Sequence, residues 1–200
     1  MYVARILYPV EVLGPGKRIG IWFCGCPRRC KGCSNPELWE FQERYKTTPE
    51  AVYALACKIA DKNQVDGFTI TGGDPLWQPE DFQKLIKLLS GISTDILVYT
   101  GYKIEELSSN MLQGIAVLID GEYIEELNNN CILRGSANQR IHILNSAYKK
   151  AYSDYCTNGS NQIQNFSTAD GIISVGIHRP NFLSDLNNTI SEKGLLNNDE

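Results

Sequence analysis

The sequence predicts an α/β protein built around a parallel sheet. Two observations carry this. Residues 18–24, 67–71, 95–100 and 115–120 form four short apolar or β-branched runs, nearly continuous in hydrophobicity, as strands covered on both faces require. Between them lie stretches of helical periodicity, so the order strand, helix, strand repeats along the chain and right-handed crossovers follow.

The elements can be justified in order. Residues 3–12 are a further strand candidate, broken at Pro9. A Gly14-Pro15-Gly16 turn leads into residues 18–24 (RIGIWFC). Thr48-Pro49-Glu50 reads as a capping residue with Pro at the first helical position, and Val52, Leu55, Ala56 and Ile59 then share one face. After residues 67–71 (GFTIT), Pro79-Glu80-Asp81 opens a second helix with Phe82, Leu85, Ile86 and Leu89 as its stripe. Residues 104–108 suit a short helix between the last two strands. Residues 154–169 are rich in Asn, Ser, Gln and Thr and read as a loop. Residues 171–179 read as one more strand, Phe182, Leu183 and Leu186 as a short docking segment, and residues 187–200 as a polar, frayed tail. The expected division is a core over residues 1–147 and an extension over 148–200.

The 200 residues are 42% hydrophobic and 21% charged, enough for one domain with a real core. Nineteen Lys and Arg against 23 Asp and Glu give a formal net charge of -4, which argues against a general nucleic-acid binder. No apolar run approaches the ~18 residues of a transmembrane helix. The first ten residues carry no export signal, so a cytoplasmic, membrane-free setting is expected. Seven cysteines stand out, four of them from Cys24 to Cys33. An odd, clustered set in such a chain points to metal or redox chemistry rather than to staples.

The unusual short sequences all follow a strand: the cysteine loop, Gly72-Gly73-Asp74-Pro75, Gly101-Tyr102 and Gly121-Glu122-Tyr123. Ligands bind at the carboxyl ends of parallel strands, so these segments should meet around one site. Cys26, Cys30 and Cys33 form C-x3-C-x2-C. Three thiolates on a tight loop can hold three corners of a [4Fe–4S] cube and leave one iron open. The bland alternative is a zinc knuckle that includes Cys24, although Cys24 falls on a strand and suits a small buried role better. Gly72-Gly73-Asp74-Pro75 invites close backbone approach, or is a plain turn between strand and helix. Lys17, Arg18, Arg28, Arg29 and Lys31 make a local positive field, or a solvated loop. His142 and His178 read as hydrogen-bonding residues at the core's edge, and Cys57 as packed on its helix.

These residues resemble the radical S-adenosylmethionine (SAM) enzymes. Within them the chain is similar to the activating proteins of anaerobic ribonucleoside-triphosphate reductases, a branch of the glycyl-radical enzyme activases. The matching pieces run in order: Tyr8-Pro9-Val10, Gly14-Pro15-Gly16-Lys17-Arg18, the cysteine loop with Gly25, Gly32 and Asn35, and Gly72-Gly73-Asp74-Pro75-Leu76. Thr100-Gly101-Tyr102-Lys103, Val117-Leu118-Ile119-Asp120-Gly121 and Arg134-Gly135-Ser136-x-Asn138-Gln139 follow, so the likeness covers roughly residues 5–145.

The resemblance implies an incomplete parallel (β/α) barrel with a C-terminal extension. It implies Cys26, Cys30 and Cys33 as ligands of a [4Fe–4S] cluster whose open iron takes the amino and carboxylate groups of SAM. Gly72, Gly73, Asp74 and Pro75 contact the methionyl end, with Gly32, Cys33 and Ser34 beside the cofactor. Thr100, Asp120, Ser136 and Asn138 are further candidate contacts, though Asp120, Ser136 and Asn138 could each hold a turn together instead. An electron from a flavodoxin- or ferredoxin-like donor would cleave SAM, and the 5′-deoxyadenosyl radical would take hydrogen from a glycine of a partner, here an anaerobic ribonucleotide reductase. No Arg-Val-x-Gly-Tyr segment occurs, so the chain would be the activator rather than the radical carrier. Residues 148–200 have no counterpart in that pattern, which leaves a different protein or small-molecule substrate open. A non-enzymatic zinc or iron–sulfur module is the third alternative.

Overall fold

The computed structural model describes residues 1–168 and 171–192. Its centre is a six-stranded sheet in simple sequence order. The strands are β1 (Val3–Val10), β2 (Arg18–Phe23), β3 (Gly67–Gly72), β4 (Ile96–Tyr99), β5 (Val117–Asp120) and β6 (Arg140–Ile143). β2 to β5 pair in parallel, as their apolar runs predict. The two outer strands are antiparallel, which corrects the expectation of a fully parallel sheet. Gly14 and Gly16, both at positive φ, reverse the chain so that β1 folds back on β2 as a hairpin. β1 also runs through Pro9 instead of breaking there. It is an edge strand, where a missing N–H donor is tolerated, and the register shifts between Leu7 and Val10.

The side-chain alternation of the strands divides the core between two faces. Ile21, Phe23, Ile70, Ile96, Val98 and Leu118 face α1 (Pro49–Ala60) and α2 (Pro79–Leu89). The caps are as read: Thr48 accepts a bond from the Ala51 amide at 3.2 Å, with Pro49 at the first helical position. Leu97, Val117 and Ile119 point the other way, against Leu133 and Tyr152. Trp22 does the same beside Val10, Leu13, Leu38 and Val175. Residues from the C-terminal quarter therefore complete the second face, and burial on both sides accounts for the unbroken apolar runs.

That quarter differs most from expectation. Residues 149–158 form α4 (Lys149–Asn158), and β7 (Gln164–Thr168) pairs antiparallel with β8 (Gly171–Val175) in a separate two-stranded sheet. The loop expected over 154–169 is thus partly helix and partly strand. Tyr148, Tyr152, Tyr155 and Cys156 make an inward stripe at helical spacing, written in residues that count weakly as apolar. The expected strand over 171–179 stops at Val175, and α5 (Phe182–Glu192) follows. Phe182 stacks on His178, whereas Leu186 is exposed. The frayed tail expected from 187 is helical to Glu192, and residues 193–200 lie outside the described residues. The short helix expected over 104–108 is a single 3-10 turn at Ile104–Glu106, followed by α3 (Ser109–Leu112). Among the described residues no helix is long and apolar enough to cross a membrane.

Candidate functional site

The segments at the carboxyl ends of β2, β3, β4 and β5 do meet, around one cavity. β3 ends at Gly72, and the next two residues are stitched to the start of the cysteine loop. The Gly73 amide donates to the Phe23 carbonyl at 2.7 Å and the Asp74 amide to the Gly25 carbonyl at 2.8 Å. The approach explains both glycines: a Cβ on Gly72 would lie 2.4 Å from the Phe23 carbonyl oxygen, and one on Gly73 would lie 2.3 Å from that of Gly25. Pro75 is buried and opens a 3-10 turn capped by Asp74, whose side chain accepts from the Leu76 amide at 3.1 Å. Asp74 also accepts from the Thr100 hydroxyl and, at 2.9 Å, from the Gly101 amide. Burial pushes its carboxyl up, and these bonds work against that rise.

The cysteine loop is held from its other side. The Gly25 and Cys26 amides each donate at 2.8 Å, to the carbonyls of Leu38 and Trp39. Cys30 and Cys33 bracket a tight turn, with the Cys33 amide on the Cys30 carbonyl at 3.2 Å and Gly32 at φ +70°. Cys26, Cys30 and Cys33 are half-buried and line the cavity with Ser34, Gly72, Gly73, Asp74 and Thr100. Gly32 lies at the edge of an adjoining groove. Cys24 is buried, and its thiol donates to the Glu40 carbonyl at 2.7 Å outside the cavity lining. Among the described residues no three His, Cys, Asp or Glu side chains gather as they would around a single metal ion. The three soft thiols line one cavity, a donor set that fits an iron–sulfur cluster. Burial pushes Cys30 up to about 11, with Glu122 and the other two thiols adding to the rise, and it raises Cys33 as well. The unligated Cys30 and Cys33 thiols are therefore neutral, and metal binding must release their protons.

The remaining candidates divide. Asp120 is buried, accepts from the Ile104 amide at 2.7 Å and pairs with Arg140, with His142 Nε2 3.1 Å away. The Ser136 hydroxyl accepts from the Ile124 amide at 3.2 Å, and the Asn138 side chain donates to the Glu122 carbonyl at 2.8 Å. In this region it is their neighbours Gly121, Tyr123, Gly135 and Gln139 that line the cavity. Gln139 braces that wall, donating to the Gly121 carbonyl at 2.9 Å and accepting from the Gly135 amide at 2.8 Å.

The positive field read from residues 17–31 is largely spent on partners. Arg18 is fully buried and paired with Asp95 at 2.7 Å, and Lys31 lies 3.1 Å from both Glu125 and Glu126. Arg29 pairs with Glu40. Arg28, one of the same group, lies 3.7 Å from Glu106, yet it also lines the cavity and stacks over the Tyr102 ring at 4.6 Å. Its sequence signals were its place inside the cysteine spacing and its membership of that basic run. Residues 174–178 also line the cavity, and no local pattern in the sequence announced them.

Comparison with known proteins bears on this site. The family described as a 4Fe-4S single cluster domain matches residues 12–142. The chain is 36% identical over 142 residues to the anaerobic ribonucleoside-triphosphate reductase-activating protein of Enterobacteria phage T4, covering 68% of this chain and 90% of that protein. The chain belongs to this family of activating proteins. The activating protein of Escherichia coli (strain K12) is 34% identical over 148 residues, 68% of this chain and 96% of its own length. That of Haemophilus influenzae is 36% identical over 146 residues, again 68% of this chain, and 94% of its own. The 4Fe-4S match spans the cysteine loop, strands β2 to β5 and most of β6, and it stops before α4.

Proposed function

We propose that this activating protein is a radical SAM enzyme that generates a glycyl radical on an anaerobic ribonucleotide reductase. The observation that carries the reading is the shared cavity. Cys26, Cys30 and Cys33 face the same space as the Gly72-Gly73-Asp74 turn and Thr100, while Cys24 is turned away. Three ligands would leave one corner of a [4Fe–4S] cluster free, and the glycine turn lines the same cavity as the three cysteines.

When bound and reduced, the cluster supplies the electron that splits the S–C5′ bond of SAM, giving methionine and a 5′-deoxyadenosyl radical that takes a hydrogen atom from a partner glycine. The chain's own work is placement and exclusion of water. Gly72 and Gly73 would let a methionyl group approach the main chain, Asp74 and Pro75 fix that turn, and Gly32 and Ser34 would border the cluster. Thr100 orders Asp74. Asp120, Ser136 and Asn138 bond Ile104, Ile124 and Glu122 and so brace the segments whose Gly121, Tyr123 and Gly135 line the cavity. The reading takes the mixed sheet as an incomplete barrel, residues 1–147 as its core and 148–200 as an extension, and places it in the cytoplasm. It takes a flavodoxin- or ferredoxin-like protein as the donor.

The test is electron paramagnetic resonance on an anaerobic ribonucleotide reductase incubated with the reconstituted chain, SAM and a low-potential reductant. A glycyl doublet on the reductase is expected. A second reading, a radical SAM enzyme with another substrate, is favoured by the cavity wall at residues 174–178, which lies outside the family match. SAM cleavage without a doublet on any reductase would select it.

A further inference from the structure

The chain beyond residue 142 helps build the site although the family match ends there. Val175 is buried with Leu13, Trp22 and Leu38, and Phe166, Ile173 and Ile177 pack against them. From the last two residues of β8 onward, residues 174–178 line the same cavity as the three cysteines. The segment is fastened on both flanks. The Gln164 side chain donates to the Pro9 carbonyl at 2.7 Å and accepts from the Glu11 amide at 3.0 Å. The Asn128 side chain donates to the His178 carbonyl at 2.9 Å. Beyond it lies a second groove, which shares Cys33, Tyr123, Gly176, Ile177 and His178 with the first cavity. The segment is therefore a strap between the cysteine site and the exterior.

The strap carries two polar side chains, and the Ser174 hydroxyl already donates to Asn165 at 2.7 Å, which leaves His178. Its ring stacks on Phe182, with centroids 4.4 Å apart and planes 8° from parallel. Its Nε2 is buried and has no hydrogen-bond partner among the described residues. Burial holds the imidazole below its ordinary range, so it is neutral and offers one donor and one acceptor. A buried polar atom left unpaired in a cavity wall is costly and needs a reason; a ligand that pairs with it supplies one.

We propose that this strap closes the cofactor cavity from within the chain, and that His178 hydrogen-bonds the nucleoside part of bound SAM. The proposal rests on the reading of the cavity as a SAM site. An apolar wall of Val175 and Ile177 with a single neutral imidazole suits a flat base and ribose hydroxyls better than it suits the charged methionyl end.

Two measurements test it. SAM binding to the cluster-loaded chain is followed by equilibrium dialysis. His178→Ala should weaken binding about five- to tenfold, His178→Gln should restore most of it, and iron content should stay unchanged in both. In the metal-free chain, alkylation of Cys26, Cys30 and Cys33 by iodoacetamide is timed by mass spectrometry. Ile177→Asp should unseat the strap and speed alkylation several-fold. Ile177→Ala serves if the first variant melts early, and should speed it less. Equal SAM affinity in His178→Ala, or unchanged alkylation in a folded Ile177 variant, overturns the proposal. If the wild-type chain with full iron binds no SAM, the nucleoside role fails with the functional reading, and the alkylation rates alone decide the strap.

Discussion

The Thr100 hydroxyl donates to both carboxylate oxygens of Asp74, at 2.9 and 3.1 Å, and both residues are buried. This joins the end of β4 to the turn after β3 at the edge of the cavity. Thr100→Val deletes a donor from a buried carboxylate without changing shape much. It should cost about 1–3 kcal/mol, read as a lower urea midpoint of the metal-free protein, whereas Thr100→Ser should stay close to wild type.

Gly73 has no room for a side chain. A Cβ there would meet the Gly25 carbonyl oxygen at 2.3 Å, so Gly73→Ala must push the glycine turn away from the cysteine loop. Both the loop's position and the cavity floor change at once. Iron incorporated per chain should fall, and SAM retained on the loaded fraction should drop at least tenfold, about 1.4 kcal/mol. Iron analysis with dialysis checks both.

The extension is part of the stability of the sheet. Arg18, fully buried, bonds Asp95 at 2.7 Å and the Phe68 carbonyl at 2.6 Å, and the Tyr152 hydroxyl of α4 donates to Asp95 at 2.7 Å. Asp95→Ala strands a buried guanidinium and should cost about 3–5 kcal/mol. Tyr152→Phe removes one bond to a charged group and should cost about 1.5–3 kcal/mol. A chain ending at residue 147 bares Leu97, Val117 and Ile119 and should be recovered mainly as aggregate. Denaturant titrations and size-exclusion chromatography measure these.

One surface pair makes a pH prediction. Both oxygens of Glu105 take bonds from Arg140 at 2.7 Å, and this holds the Glu105 carboxyl at about 2, below the usual carboxylate range. A lowered folded-state value contributes stability above the unfolded-state value of ~4.3. That contribution is lost as pH falls through about 2. The urea midpoint of wild type should therefore exceed that of Glu105→Gln at pH 5, and the gap should close toward pH 2. A gap that widens in acid would contradict the pairing.

Much of this architecture is legible in the sequence where one physical cause dominates. β2 to β5 are buried on both faces, so their apolar runs stand out, and the glycine-rich and cysteine-rich segments at their ends follow from strand polarity. The direction of β1 and β6 is not legible, because it depends on Gly14, Gly16 and partner choice rather than on the strands' own residues. Arg18 looks like a surface cation until Asp95, Thr69 and Tyr152 close around it in space. α4 hides its stripe in tyrosines. The strap is least legible: Val175, Ile177 and His178 acquire meaning only by meeting Trp22 and the cysteine loop, more than 140 positions earlier.

The most direct test of the central claim is the yield of 5′-deoxyadenosine from SAM under a low-potential reductant, compared across cysteine variants. The account predicts product from the wild-type chain loaded with about four irons and from Cys24→Ala, and none from Cys26→Ala, Cys30→Ala or Cys33→Ala. A fully loaded wild-type chain that forms no 5′-deoxyadenosine, or a Cys24→Ala chain that loses both cluster and product, would contradict it.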